Sequence, residues 1–174
     1  MIFVTVGTNE ARFDRLLHAV ERLDDGEALV VQHGSSDVHP GNAVNFGFLP
    51  FEELVDRVRA ARLVVCHAGV GSVMVALANG KRPVVVPRLR RFREAVDDHQ
   101  LFFARRLASA GLVTLVEDPD ELAAVIESAP AQIAEQSSTA TTSLASELRT
   151  LIEGRVSRER VHRHRVLRPR TLRR

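Results

Sequence analysis

The densest chemistry in the chain is the run His67, Ala68, Gly69, Val70, Gly71 and Ser72. A histidine and a hydroxyl bracket two glycines. Gly69 and Gly71 leave the main chain bare, so its amide N–H groups can approach a ligand closely. His67 can donate to an oxyanion, and Ser72 can cap a helix and donate as well. The combination suits phosphate oxygens; Gly-x-Gly alone is common in turns that bind nothing, and the flanking polar pair adds the chemistry. A second cluster, Asp98, His99 and Gln100 at an expected helix start, offers adjacent acceptors and donors for hydroxyl groups. Its plainer reading is helix capping and solvated surface. As metal ligands Asp97-Asp98-His99 are weak, because consecutive residues rarely converge on one ion, so no metal site is expected. Cys66 is the single cysteine, which excludes an internal disulfide and fits a reducing compartment. It reads as a small buried hydrophobe rather than an activated thiol.

These residues need a frame. Leu63 to Cys66 is an apolar run short enough for a buried strand. Val73 to Asn79 is apolar nearly all round and closed by Gly80, which predicts a short buried helix with a left-handed cap. Pro83 to Pro87 reads as the next buried strand. Strand, glycine turn, helix and strand form a βαβ unit, which puts the turn at the carboxyl edge of a parallel sheet. The first helical turn, near Ser72, then points free N–H groups and a positive dipole end outward.

The rest repeats this alternation. Ile2 to Val6, Ala28 to Gln32, Val44 to Phe46 and Leu112 to Val116 read as strands. Phe13, Leu16, Leu17, Val20 and Leu23 fall on one helical face, stopped by Asp24-Asp25-Gly26; Leu54, Val55 and Val58 mark another helix. Arg88 to Arg93 reads as a basic loop. A helix follows with Leu101, Ala104, Leu107 and Ala108 inward and Gly111 as its cap. Asp118-Pro119-Asp120-Glu121 is a helix start, with Leu122, Val125 and Ile126 as the buried side. Ile133, Leu144, Leu148, Leu151 and Ile152 suggest a terminal helix of uncertain start. The expected fold is α/β, a doubly wound parallel sheet of the Rossmann-like kind.

With 174 residues and 45% hydrophobic side chains, the chain supports one core. The expected domain is 1–153, with a tail over 154–174. Residues 155–174 hold nine arginines and one glutamate, so the formal charge of +2 hides an acidic domain behind a basic end. The tail is expected to be disordered without a partner. It reads as a solvated end or as a contact with anionic membrane. Nucleic acid ranks last, because no aromatic residue interleaves with the arginines. No signal peptide is predicted, and no apolar run approaches the ~20 residues of a spanning helix.

Four stretches in order carry a resemblance: Val4 to Thr8, His67 to Ser72, Gly80 to Arg88, and Asp97 to Gln100. Over roughly residues 1–128 they are similar to the C-terminal, donor-binding domain of family 28 glycosyltransferases, which have the GT-B fold. More closely, the chain resembles the catalytic subunit of split two-chain UDP-sugar transferases. The resemblance implies half of a GT-B fold and transfer of a hexose from a UDP-sugar to a polyprenyl-linked acceptor in glycoconjugate or exopolysaccharide assembly. It also implies a membrane-associated partner subunit, and hence a cytoplasmic protein held peripherally at the inner membrane face. No cofactor is expected beyond the donor itself. Gly7, Thr8, His67, Gly69, Val70, Gly71 and Ser72 would line the diphosphate. Leu49 would meet the uracil, and His99 and Gln100, with Asp98 beside them, the donor sugar and phosphate. Many relatives carry a glutamate for the ribose three residues after the Ser72 position; here that position is Val75. Glu94 is then a candidate for the ribose, or else a solvated residue. His67 is a candidate catalytic base, although donation to phosphate suits it better. Two rival classes stand beside the enzyme: a non-catalytic sugar-nucleotide sensor, and a nucleotide-independent signalling domain.

Overall fold

The apolar runs become six short strands in a computed structural model that describes residues 1–23 and 26–129. They are β1 Ile2–Thr5, β2 Leu29–Gln32, β3 Ala43–Phe46, β4 Leu63–His67, β5 Val84–Val86 and β6 Thr114–Leu115. All pair in parallel, in the order β3-β2-β1-β4-β5-β6. Thr5 lies level with Gln32 on one side and Cys66 on the other, so the carboxyl ends of the three central strands line up. Every residue of β1, β2, β4 and β5 is buried, as strands covered on both faces require.

Between the strands run α1 Asp14–Glu21, α2 Phe51–Ala60, α3 Val70–Ala78, α4 His99–Ser109 and α5 Leu122–Ser128. Strand side chains alternate between two cores, because successive Cβ atoms point to opposite faces. Ile2, Val4, Val6 and Val65 meet Leu16, Leu17 and Val20 of α1 and Leu122 and Ile126 of α5. Phe3, Val30 and Val64 meet Val58 of α2 and Ala76 of α3. The helices leaving β1 and β4 therefore depart on opposite faces, and the order of strands reverses between them. This is the switch point where open α/β sheets hold ligands, beyond the carboxyl ends of the strands.

Two element boundaries bear on the site. Helix α3 starts at Val70, three residues before the apolar run, because the glycines can enter a helical turn without helical side-chain contacts. It ends as expected: Gly80 is left-handed at φ 70°, with Gly80 N donating to Leu77 O and Lys81 N to Ala76 O, both at 3.0 Å. At the last helix, Asp118 accepts from Asp120 N at 3.1 Å, but the turn Pro119–Glu121 is 3-10, and α5 begins only at Leu122. The expected stop at Asp24-Asp25, the terminal helix and the arginine tail lie outside the described residues. Among the described residues, no helix is long and apolar enough to cross a membrane.

Candidate functional site

The turn after β4 leads directly into α3. Gly69 is the residue before the helix, extended at φ −78° and ψ 133°, and no side chain caps the terminus. Ser72, expected as a cap, is instead the third helical residue and half-buried. Its hydroxyl makes no capping bond, because a cap must stand before the first turn. The amides of Val70, Gly71 and Ser72 have no intrahelical partner, as for any first turn. Val70 is 40% exposed, Gly71 is exposed, and a Cβ built on Gly71 would meet nothing within 4 Å. This is an open, uncapped helix terminus at the switch point, with the positive end of its dipole outward.

His67 is not a surface donor. Its residue is 8% exposed, and Nδ1 is buried with no hydrogen-bond partner among the described residues. Burial holds its pKa down at about 4, with the charge of Arg88 acting the same way and the Thr5 backbone partly opposing. The ring lies between two glycines. A Cβ on Gly69 would stand 2.8 Å from Cδ2 and closer still to Nε2; one on Gly7 would stand 2.8 Å from Nε2 and closer to Cε1. Gly7 and Gly69 are therefore bare to admit the imidazole, a tighter demand than the approach of a ligand. Gly7 is also left-handed at φ 79°, and its amide is taken: N donates to Thr5 Oγ1 at 3.2 Å, and its carbonyl accepts from Gln32 Nε2 at 3.2 Å. Thr5 and Gln32 bond to each other, completing a buried polar knot beneath the turn. Thr8, next in line, is exposed.

The loop after β5 forms the neighbouring wall, and here two expectations change. Arg88 is not part of a solvated basic loop. It is fully buried, and its guanidinium donates from Nη1 to Ala11 O at 2.7 Å and Arg12 O at 3.0 Å, and from Nη2 to Val6 O at 3.0 Å. It also lies 4.7 Å from the Phe13 ring centre, and burial lowers its pKa to about 10. Glu94 is neither solvated nor presented to a ribose. It is 4% exposed, and its carboxylate accepts from Arg15 Nε at 2.9 Å, Arg15 Nη2 at 3.0 Å and Leu89 N at 3.0 Å. A carboxylate so enclosed has exchanged water for a guanidinium fork and an amide. Arg88, Glu94 and Arg15 thus pin the loop after β5 to the loop after β1. The expected cluster divides: Asp98 Oδ1 accepts from Arg90 N at 2.9 Å, Asp97 bonds His99, and Gln100 is buried with Oε1 accepting from Arg88 N at 3.2 Å. Asp98 therefore fixes the loop instead of capping α4, and Gln100 joins the buried network. His99 keeps an exposed face at the start of α4.

Leu49, just before α2, and Val75 of α3 both pack against the Phe3–Val30–Val64 core. Val75 is thus an apolar contact with the core. Cys66 is fully buried, and burial pushes its thiol up to about 12, which leaves it inert. Among the described residues, no group of three or more His, Cys, Asp or Glu is placed to hold a metal ion. Arg88, Arg15, Thr5 and Gln32 were not singled out from sequence. The signal for Arg88 was its position directly after a buried strand, where a charged side chain either leaves the sheet or finds carbonyls.

A parallel sheet with an uncapped helix terminus at its switch point defines a Rossmann-like α/β domain. The chain belongs to the glycosyltransferase family 28 C-terminal domain family, whose model matches residues 1–154. It is 34% identical over 128 residues to a UDP-N-acetylglucosamine–N-acetylmuramyl-(pentapeptide) pyrophosphoryl-undecaprenol N-acetylglucosamine transferase of Aromatoleum aromaticum, covering 66% of this chain and 35% of that protein. It is 41% identical over 61 residues to UDP-N-acetylglucosamine transferase subunit ALG13 of Yarrowia lipolytica, covering 35% of this chain and 29% of that one. The chain thus spans about a third of the length of these relatives. The calicheamicin glycosyltransferase CalG4 shares its fold at a TM-score of 0.54 and 20% identity, over 72% of this chain and 33% of CalG4. The described sheet thus corresponds in fold to part of that larger chain.

Proposed function

We propose that this chain is the donor-binding half of a glycosyltransferase that moves a hexose, such as N-acetylglucosamine, from a UDP-sugar to a polyprenyl-linked acceptor. The observation that carries the reading is the uncapped α3 terminus at the switch point, in a chain whose family is that of sugar-nucleotide transferases. In such a transfer the acceptor hydroxyl forms a bond to the anomeric carbon. The bond from that carbon to the diphosphate breaks, and UDP leaves with the electron pair. The negative charge that develops on the diphosphate meets the amides of Val70, Gly71 and Ser72 and the exposed Thr8. His67 braces this corner as a neutral ring. With its pKa near 4 it holds a proton weakly, which suits a neutral donor or packing group better than a general base. In this reading Leu49 meets the uracil and His99 the donor sugar, the roles that the family resemblance implies.

The other half of the active site, in this reading, comes from a membrane-associated partner that also presents the lipid-linked acceptor, placing the pair at the inner face of the membrane. Two relatives support it, one a transferase acting on a pyrophosphoryl-undecaprenol acceptor and the other a transferase subunit. The arginines of 155–174 add contact with anionic lipid. Titrating UDP and a panel of UDP-sugars against thermal unfolding tests the donor site; no stabilisation by any of them at millimolar concentration overturns it. Co-expression with the partner should create UDP-sugar-dependent transfer, and equal activity from this chain alone refutes the split. Val75 favours a second reading, a sugar-nucleotide sensor without turnover. Donor binding with no transfer in the presence of partner and acceptor decides for it.

A further inference from the structure

The buried arginine that follows β5 does more than fill the core. Its guanidinium lies 4.7 Å from the Phe13 ring centre, with Nη2 donating to Val6 O at 3.0 Å and Nη1 to Ala11 O at 2.7 Å and Arg12 O at 3.0 Å. Val6 directly follows β1, and Ala11 and Arg12 lead towards α1. One cation therefore ties both feet of the loop after β1. Between the feet, Thr8, Asn9 and Glu10 form an exposed arch. Among the described residues, no main-chain hydrogen bond joins these three to another element. The arch stands where its feet put it. The near foot is bonded to Thr5 and Gln32 through Gly7, and the far foot to the loop after β2, through Arg12 with Asp37 and Phe13 N with Ser36 Oγ. Those bonds fix each foot to a neighbour; the Arg88 guanidinium joins foot to foot.

The main chain of the same residue reaches the other way. Arg88 N donates to Gln100 Oε1 at 3.2 Å, at the start of α4. Strands β1 and β5 flank β4, so this one residue links the two sides of the α3 terminus. Gly7 and Gly69 both abut the His67 ring, so the turns after β1 and β4 meet there, and Thr8 is the next residue out. A buried cation opposes folding unless its donors are matched. Filling the space beside Phe13 needs no charge. What an apolar side chain could not do is hold carbonyls at two ends of a loop at once. The planar fork fixes their separation, and with it the span of the arch above them.

We propose that Arg88 is a positioning residue for the donor: by spanning the feet of the loop after β1 it holds the Thr8 hydroxyl beside the α3 terminus, and it acts on UDP affinity through Thr8, without touching the nucleotide. This rests on the donor reading given above. UDP is titrated by calorimetry into the full chain and its variants. Arg88→Lys keeps the charge but cannot span both feet, and should weaken UDP by about 10-fold, the scale of one hydrogen bond to a charged group. Thr8→Ala should do the same. The double variant Thr8→Ala/Arg88→Lys should stay within about twofold of the weaker single variant, because both changes remove one contact. Ile126→Val, a cavity in the buried face of α5, lowers stability at a distance and should leave UDP affinity within about twofold, which separates positioning from loss of stability. Backbone order parameters read the arch without ligand. Residues 8–10 should stand near the rigid value of about 0.85 in the unaltered chain and fall below about 0.6 in Arg88→Lys. Additive losses in the double variant, unchanged UDP affinity in Arg88→Lys, or an arch already mobile in the unaltered chain overturns the proposal. An unaltered chain that binds no UDP sinks the donor reading itself, a result distinct from those three.

Discussion

A methyl group added at Gly69 should cost far more than one added two residues later at Gly71. At Gly69 the new carbon would stand 2.8 Å from His67 Cδ2 and nearer to Nε2, whereas at Gly71 nothing lies within 4 Å. Carbon pairs prefer ~3.5–4.0 Å, so the imidazole must retreat by on the order of 1 Å. It has little room to do so, being 8% exposed and flanked by Gly7 on its other side. Gly69→Ala should therefore lose ~1–3 kcal/mol, the range for overpacking a filled core. Gly7→Ala adds the left-handed backbone at φ 79°, worth a further ~1–2 kcal/mol. Gly71→Ala sits in the first turn of α3 and should be neutral or stabilise by up to ~1 kcal/mol, because alanine suits a helix better than glycine.

Urea unfolding monitored by circular dichroism gives each difference from the midpoint at constant slope. The mechanism is isolated by a double-mutant cycle. His67→Ala removes the ring that the methyl strikes, so Gly69→Ala in that background should cost under ~0.5 kcal/mol. If Gly69→Ala is as mild as Gly71→Ala, or if its cost persists once His67 is gone, the glycines are not there to house the imidazole.

Three further outcomes follow from the same contacts. Because His67 titrates at about 4 in the folded chain against 6.5 when unfolded, the unfolded state binds the extra proton between those values; stability should rise with pH across that window by up to ~3 kcal/mol, and His67→Gln should flatten that part of a pH series of urea midpoints. Arg88→Met should cost ~3–5 kcal/mol by leaving the carbonyls of Val6, Ala11 and Arg12 without a donor, and Arg88→Lys should recover only part, since one ammonium cannot span them; a calorimetric scan reads both. Glu94→Gln should lower stability by ~1–3 kcal/mol through its Arg15 and Leu89 contacts while leaving UDP affinity by calorimetry essentially unchanged, and a ~10-fold loss of UDP affinity would restore the carboxylate to the ribose.

The sheet was legible because most strands are short runs of β-branched and aliphatic residues and every connection but that from β2 to β3 holds a helical stripe; Leu16, Leu17 and Val20 all fall on the predicted face of α1. The Schellman end of α3 was legible from one glycine after an apolar run. What a window of sequence does not carry is which long-range partner a polar residue finds. Arg88 and Glu94 sit six residues apart in a stretch of four arginines, and only its place directly after a buried strand separates Arg88 from those that stay out. Its burial depends on three carbonyls more than 70 residues away. The glycines misled for a related reason. A bare backbone beside a phosphate-suited turn reads as room for a ligand, but the tenant between Gly7 and Gly69 is His67, reached from a neighbouring strand.

That tenancy changes what the corner can offer energetically. A helix terminus contributes only ~0.3–2 kcal/mol to a bound anion, whereas micromolar affinity needs about 8 kcal/mol. With the Gly7 amide bonded to Thr5 and the His67 ring enclosed, the exposed donors of the turns after β1 and β4 themselves reduce to the first turn of α3 and Thr8. Glu94 and Val75, the positions from which a carboxylate could hold a ribose, are committed to Arg15 and to the apolar core. In the donor reading proposed above, this chain offers a seat for the diphosphate and little grip on the nucleoside. An open edge of this kind gains affinity chiefly by closing against a second surface, which removes water from the same few amides and strengthens each of them. On the proposed split, a donor site that stays weak until the partner half covers it would also keep the sugar from water until an acceptor is present.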